Sequence, residues 1–145
     1  MLTQAPTPSN TALWWACALL APPLAWAAAA HGYGIARDNP WLDVALLALA
    51  AVAEEVVFRG GLQALLLRRL NQQALGISAA NLVTSLAFAA VHLGAHPPLA
   101  ALGVLPVSLV LGAAYERSGG RLVPPIALHL YFNLLLYAAG ALMAR

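Results

Sequence analysis

The sequence predicts an all-α fold: a polytopic membrane helix bundle of about five transmembrane helices enclosing a polar cavity inside the bilayer. Three observations carry this. Of 145 residues, 62% are hydrophobic and only 8% are charged, against about a quarter charged in a soluble domain, and the mean hydropathy is +0.79. The apolar residues gather into runs close to the roughly 20 residues that a helix needs to cross hydrocarbon. One run, Leu49–Leu67, nevertheless holds Glu54, Glu55 and Arg59, at a depth where a charge costs about 2.5–3.5 kcal/mol and normally has both a partner and a use.

Each element follows from local signals. Residues 1–10 are polar, uncharged and hold Pro6 and Pro8, which reads as a flexible tail. Thr11–Ala30 is long enough for a first span; Pro22-Pro23 kink it, and the lack of a positive charge ahead of it argues for a retained helix over a cleaved signal peptide. Cys17, the single cysteine, excludes an internal disulfide and any Cys-rich metal site. His31–Pro40 is a linker broken by Gly32 and Gly34, with Asn39-Pro40 starting the next helix. From Trp41 to about Leu70 the helical pattern outlasts one crossing, so this helix is tilted or bent at Gly60-Gly61, with Arg68 and Arg69 at the headgroups.

Asn71-Gln72-Gln73 turns the chain, and Gly76–Leu93 forms the third span. Pro97-Pro98 open a fourth that ends near Tyr115, Glu116–Arg121 is a loop, and Pro124-Pro125 begin a fifth that reaches Met143. With all five crossing, Arg68, Arg69, Arg117 and Arg121 share one side, opposite Arg37 and Arg145, which places the N-terminus in the cytoplasm. No linker divides the chain, so 1–145 is one integral membrane domain. A net charge of +2, supplied by scattered arginines with no lysine, excludes a nucleic-acid partner.

Glu55 and Arg59, four apart, share a helix face and pair, whereas Glu54 points about 100° away toward other partners. The later spans hold their own polar outliers: Asn81, Thr84, Ser85 and His92 in the third, Ser108 in the fourth, His129 and Asn133 in the fifth. Serine and threonine can bond their own helix backbone and are set aside. His129 and Asn133 share a face, and His92 stands one turn after Phe88. A lone intramembrane histidine is commonly a helix–helix hydrogen bond; an acid, two histidines and an amide in so small a bundle point to chemistry. His31 and His96 fall in loops and read as solvated.

A carboxylate in an apolar cavity, beside a histidine, can deprotonate water, while a second histidine and an amide suit the oxyanion of a tetrahedral intermediate. No nucleophile elbow is present. At this point the residues resemble a family. Glu54-Glu55-Val56-Val57-Phe58-Arg59 reads as EExxxR, Phe88–His92 as FxxxH and His129–Asn133 as HxxxN. This ordered set is similar to the CPBP intramembrane proteases, a group that includes type II CAAX prenyl endopeptidases and bacteriocin-processing or self-immunity homologues. The resemblance implies a glutamic-type endopeptidase whose catalytic helical core is 40–143. In it Glu54 activates water with His92, His129 and Asn133 form the oxyanion hole, Glu55 and Arg59 hold the helix, and Phe88 packs at the cavity wall. Family members commonly have more helices than the five counted here.

Three alternatives stay open. Glu54, His92 and His129 can be read as Zn²⁺ ligands with an open water position, although no HExxH helix is present; the leading reading needs no cofactor. A non-enzymatic immunity or partner-binding protein would use the same polar cavity. A small transporter or proton relay would also bury Glu and His, but no repeat is visible. The implied partners are the bilayer and a membrane-anchored or lipidated protein cut near its C-terminus. Ala-, Leu- and Arg-rich usage without lysine points to a bacterial inner membrane, and nothing specifies an oligomeric state.

Overall fold

The structure is a computed structural model that describes residues 39–70, 72–74 and 76–143. The tail, the first expected span with Cys17, and the linker up to Asp38 lie outside the described residues. Helix α1 (Pro40–Glu55) starts as its sequence signals: the Asn39 side chain accepts a hydrogen bond from the Leu42 amide at 3.2 Å and Pro40 occupies the first turn. It runs without interruption into a π-helical segment, Val56–Gln63, and then into α2 (Ala64–Leu67). The bend expected at Gly60-Gly61 is thus a widened turn that begins directly after the paired glutamates. Such turns insert a residue into the helix and often mark functional positions.

A small antiparallel hairpin follows, β1 (Gln73–Ala74) with β2 (Ile77–Ser78), turned by Gly76 at φ +77°. Here the sequence reading is corrected, because the third helix does not begin at Gly76. Gly76 and Ile77-Ser78 are used by the hairpin, and α3 is Ala79–His92, capped by Ser78 Oγ accepting from the Asn81 amide at 2.9 Å. Its 14 residues extend about 21 Å at 1.5 Å per residue, short of the roughly 30 Å hydrocarbon thickness. Helix α4 (Pro98–Arg117) also overruns its expected end, since Glu116 and Arg117 complete the helix and only Ser118 onward forms the loop. Helix α5 (Val123–Met143) matches its expectation and is the one helix among the described residues that is both long and apolar enough to cross a membrane.

The polarity of the bundle is inverted relative to a soluble core. Glu55, Arg59, Gln63, Thr84, Ser85 and Ser108 are completely buried, while Trp41, Leu49, Val57, Leu65, Leu86 and Val91 are exposed. An apolar outside around a polar inside is what a lipid solvent selects. The apolar core proper is small: Leu111, Ala114 and Leu128, with Val107, Val110 and Phe132 against them where α4 meets α5.

At the α3–α4 crossing Gly112 faces Asn81, and a Cβ built there would overlap the Asn81 amide. Gly112→Ala is therefore expected to cost about 1–3 kcal/mol, as overpacking of a filled site does. A thermal melt of the purified chain in detergent checks it, and an unchanged midpoint would show that the crossing can relax.

Candidate active site

The π-helical segment carries the buried face of the first rod onward. Glu55 closes α1, and Arg59 and Gln63 follow at intervals of four, all three fully buried. Arg59 Nε lies 3.1 Å from Glu55 Oε2, the ion pair that the spacing predicts. The other Glu55 oxygen reaches across to α5, accepting a hydrogen bond from His129 Nδ1 at 2.8 Å. That bond puts a proton on Nδ1 and aims Nε2 away from Glu55. Nε2 then faces Glu54 Oε2 at 3.7 Å. His129 thus stands between the two glutamates, which α1 alone would have splayed apart.

Phe88 organises the other wall. It is buried at 1% exposure, with its ring 4.8 Å from that of Phe58, 4.5 Å from His92 and 5.9 Å from His129. The Arg59 guanidinium sits 4.9 Å from its centroid, so one aromatic face also helps to hold the cation. His92 Nδ1 donates to the Phe88 carbonyl at 2.8 Å, which leaves the Nε2 lone pair of a neutral ring available. His96, exposed, stacks on His92 with ring centroids 5.8 Å apart.

Of the motif residues, Glu54 and Glu55 meet His129, and the Phe88 ring packs against those of His92 and His129, with one difference from the sequence reading. Glu54 approaches His129, and no hydrogen bond or ion pair joins it to His92 among the described residues. Asn133 lies one turn beyond His129, half-buried, with no side-chain hydrogen bond among the described residues. Glu54 Oε2 is buried and makes no hydrogen bond in the described structure, although a third of the side chain is exposed. The carboxylate is thus reachable, and its one ion-pair contact among the described residues is the 3.7 Å approach to His129. Two carboxylates and one guanidinium leave one negative charge, which cancels whenever His129 also carries a proton on Nε2. Among the described residues no group of three His, Cys, Asp or Glu side chains is gathered to hold a metal ion.

Sequence reasoning missed the support around these residues. Ser108 and Ser85, set aside as able to bond their own helices, instead form part of the polar interior. Arg59 Nη2 donates to Ser108 Oγ at 2.8 Å and to the Ser108 carbonyl at 2.9 Å. Gln63 Nε2 donates to the Gly112 carbonyl at 3.2 Å and to Glu116 Oε1 at 2.7 Å. Glu116, expected in a loop, also accepts from Ser78 Oγ and so joins α3, α4 and the first rod. The one available signal was the interval of four that carries Glu55 and Arg59 on to Gln63.

A family model described as Type II CAAX prenyl endopeptidase Rce1-like matches residues 36–135. The matched stretch is well over half the chain and contains all three motifs, from Glu54 to Asn133. No curated protein and no solved structure matches the chain. On the family match, the chain belongs to the Type II CAAX prenyl endopeptidase Rce1-like family, membrane-embedded proteases of CAAX type.

Proposed function

We propose that this chain is an intramembrane glutamic-type endopeptidase in which Glu54 takes a proton from a water molecule whose oxygen attacks the scissile carbonyl carbon. The observation that carries the reading is the Glu54 carboxylate itself, with its buried Oε2 unbonded and 3.7 Å from His129 Nε2. His92, whose Nδ1 is engaged by the Phe88 carbonyl and whose Nε2 lone pair is left available, helps to orient the water. The oxyanion that forms is received by the Asn133 amide and by a protonated His129 Nε2, the ring being held by Glu55. Collapse breaks the C–N bond, and Glu54 returns its proton to the departing amine.

The substrate is a membrane-anchored or lipidated protein cut near its C-terminus, and the site lies in a bacterial inner membrane with the N-terminus cytoplasmic. A bundle of about five crossings around the site remains the expected architecture. Mass spectrometry of membrane proteins from cells with wild-type or Glu54→Gln chain tests this. One C-terminus that stays intact only in the variant is expected, and identical sets would refute the protease reading.

The zinc alternative draws on the same three side chains, Glu54, His92 and His129. Purified protein dialysed exhaustively against a chelator is expected to keep its activity, because the proposed steps use no metal. Loss of activity that added Zn²⁺ restores would reverse that assignment.

A further inference from the structure

A guanidinium can only donate hydrogen bonds and a carbonyl can only accept them, so the line between Arg59 and the Leu109 carbonyl has one direction. Asn81 Nδ2 is given to that carbonyl, which leaves Asn81 Oδ1 to accept from Ser85 and Ser85 Oγ to accept from Ser108. Ser108 Oγ accepts from Arg59 at 2.8 Å and gives its single proton to Ser85 Oγ at 3.0 Å. Ser85 Oγ donates to Asn81 Oδ1 at 3.1 Å, and Asn81 Nδ2 donates to the Leu109 carbonyl at 3.0 Å. The line starts at a cation and ends on the backbone of the helix that carries Ser108, with all its protons oriented one way. Bonds so aligned polarise one another. Ser108, Ser85 and Asn81 are at most 1% exposed, so solvent does not compete.

We infer that Ser108 and Ser85 are positioning residues of the active site, acting through Arg59 on Glu55 and through Glu55 on the ring of His129. Two observations separate this from ordinary helix packing. Neither hydroxyl bonds its own helix backbone, the usual employment of serine in a membrane helix. Ser108 is also the sole hydrogen-bond partner of Arg59 among the described residues: Nη1 makes none, and Nε meets Glu55 only as an ion pair. The guanidinium is held at one end by Glu55 and at the other by Ser108. With the hydroxyl removed, only the Ser108 carbonyl anchors that end, the guanidinium can pivot, and Glu55 loses its fixed orientation toward Nδ1 of His129.

What the site does is taken from the water-activation reading, so the test has one arm that needs no substrate. The full chain in liposomes is given a farnesylated peptide of CAAX form, and the solvent exchange of the His129 Nδ1 proton is followed by NMR on ¹⁵N-histidine-labelled chain. Ser108→Ala is expected to lower kcat at least about tenfold with KM within about twofold, since a 1 Å misplacement can cost about 10²-fold. The same variant is expected to speed Nδ1 proton exchange at least about fivefold, and Ser108→Thr, which returns the hydroxyl, to recover both.

Exchange as slow as wild type in Ser108→Ala overturns the inference, as does a loss that Ser108→Thr leaves uncorrected. Where Ser108→Ala does not assemble, Ser85→Ala, which leaves both Arg59–Ser108 bonds in place, decides on the same measurements, with changes of about threefold expected. An inactive Glu54→Gln beside a fully active Ser108→Ala refutes this inference alone. An active Glu54→Gln refutes the water-activation reading and leaves proton exchange to decide the positioning role.

Discussion

Glu54→Gln is expected to lower the rate of peptide cleavage by about 10²–10⁴-fold, the usual contribution of a general base, while the protein still inserts and folds. The two halves of that expectation rest on one feature. The carboxylate makes no hydrogen bond among the described residues, and a third of the side chain is exposed, so an amide of the same shape removes the proton acceptor and weakens only the 3.7 Å approach to His129. Turnover of a farnesylated CAAX-form peptide, set beside a thermal melt of the same preparation, measures both. Wild-type turnover in the variant would remove Glu54 from the chemistry. The non-enzymatic reading makes the opposite forecast: its phenotype survives Glu54→Ala and is disturbed by substitutions at exposed apolar positions such as Val57 or Leu86.

The largest loss of stability is expected from Arg59→Met, about 3–5 kcal/mol, because it leaves a buried carboxylate without its counter-charge. Glu55 is completely enclosed, and beyond its ion pair with Arg59 its one hydrogen-bond partner among the described residues is His129. The companion variant Glu55→Gln/Arg59→Met removes both charges and is expected to recover most of that loss, since neutral groups of similar volume often replace a buried pair at little cost. Denaturation midpoints of the two variants and of wild type in the same detergent decide it. If the double variant were no more stable than Arg59→Met, the penalty would lie in lost packing against Phe88, 4.9 Å from the guanidinium, rather than in an orphaned charge. Neither variant is expected to cleave, because both remove the carboxylate–guanidinium frame behind His129.

The hairpin and the short α3 show where local reading failed. Gly76 to Leu93 scans as one apolar stretch, and hydropathy has no means of seeing that Gly76 takes a left-handed turn and that Ser78 caps a helix beginning at Ala79. Likewise Glu116 to Arg121 has the composition of a loop. The helix runs on to Arg117 because Gln63 and Ser78, from elements far away in sequence, bond the Glu116 carboxylate.

The sequence by itself determined the helical starts at Asn39-Pro40, the apolar rod from Val123 to Met143, the Glu55–Arg59 pair and the three ordered motifs that mark the family. These are properties of residue type at short spacing, and a helix of fixed pitch turns spacing into geometry directly. Only the tertiary structure decided that His129 stands between Glu54 and Glu55, that Glu54 meets His129 before His92, and that two discarded serines hold the arginine. Those outcomes depend on which faces of separate helices meet. Chain order does not encode that, because a buried charge takes whatever donor the packing brings within reach.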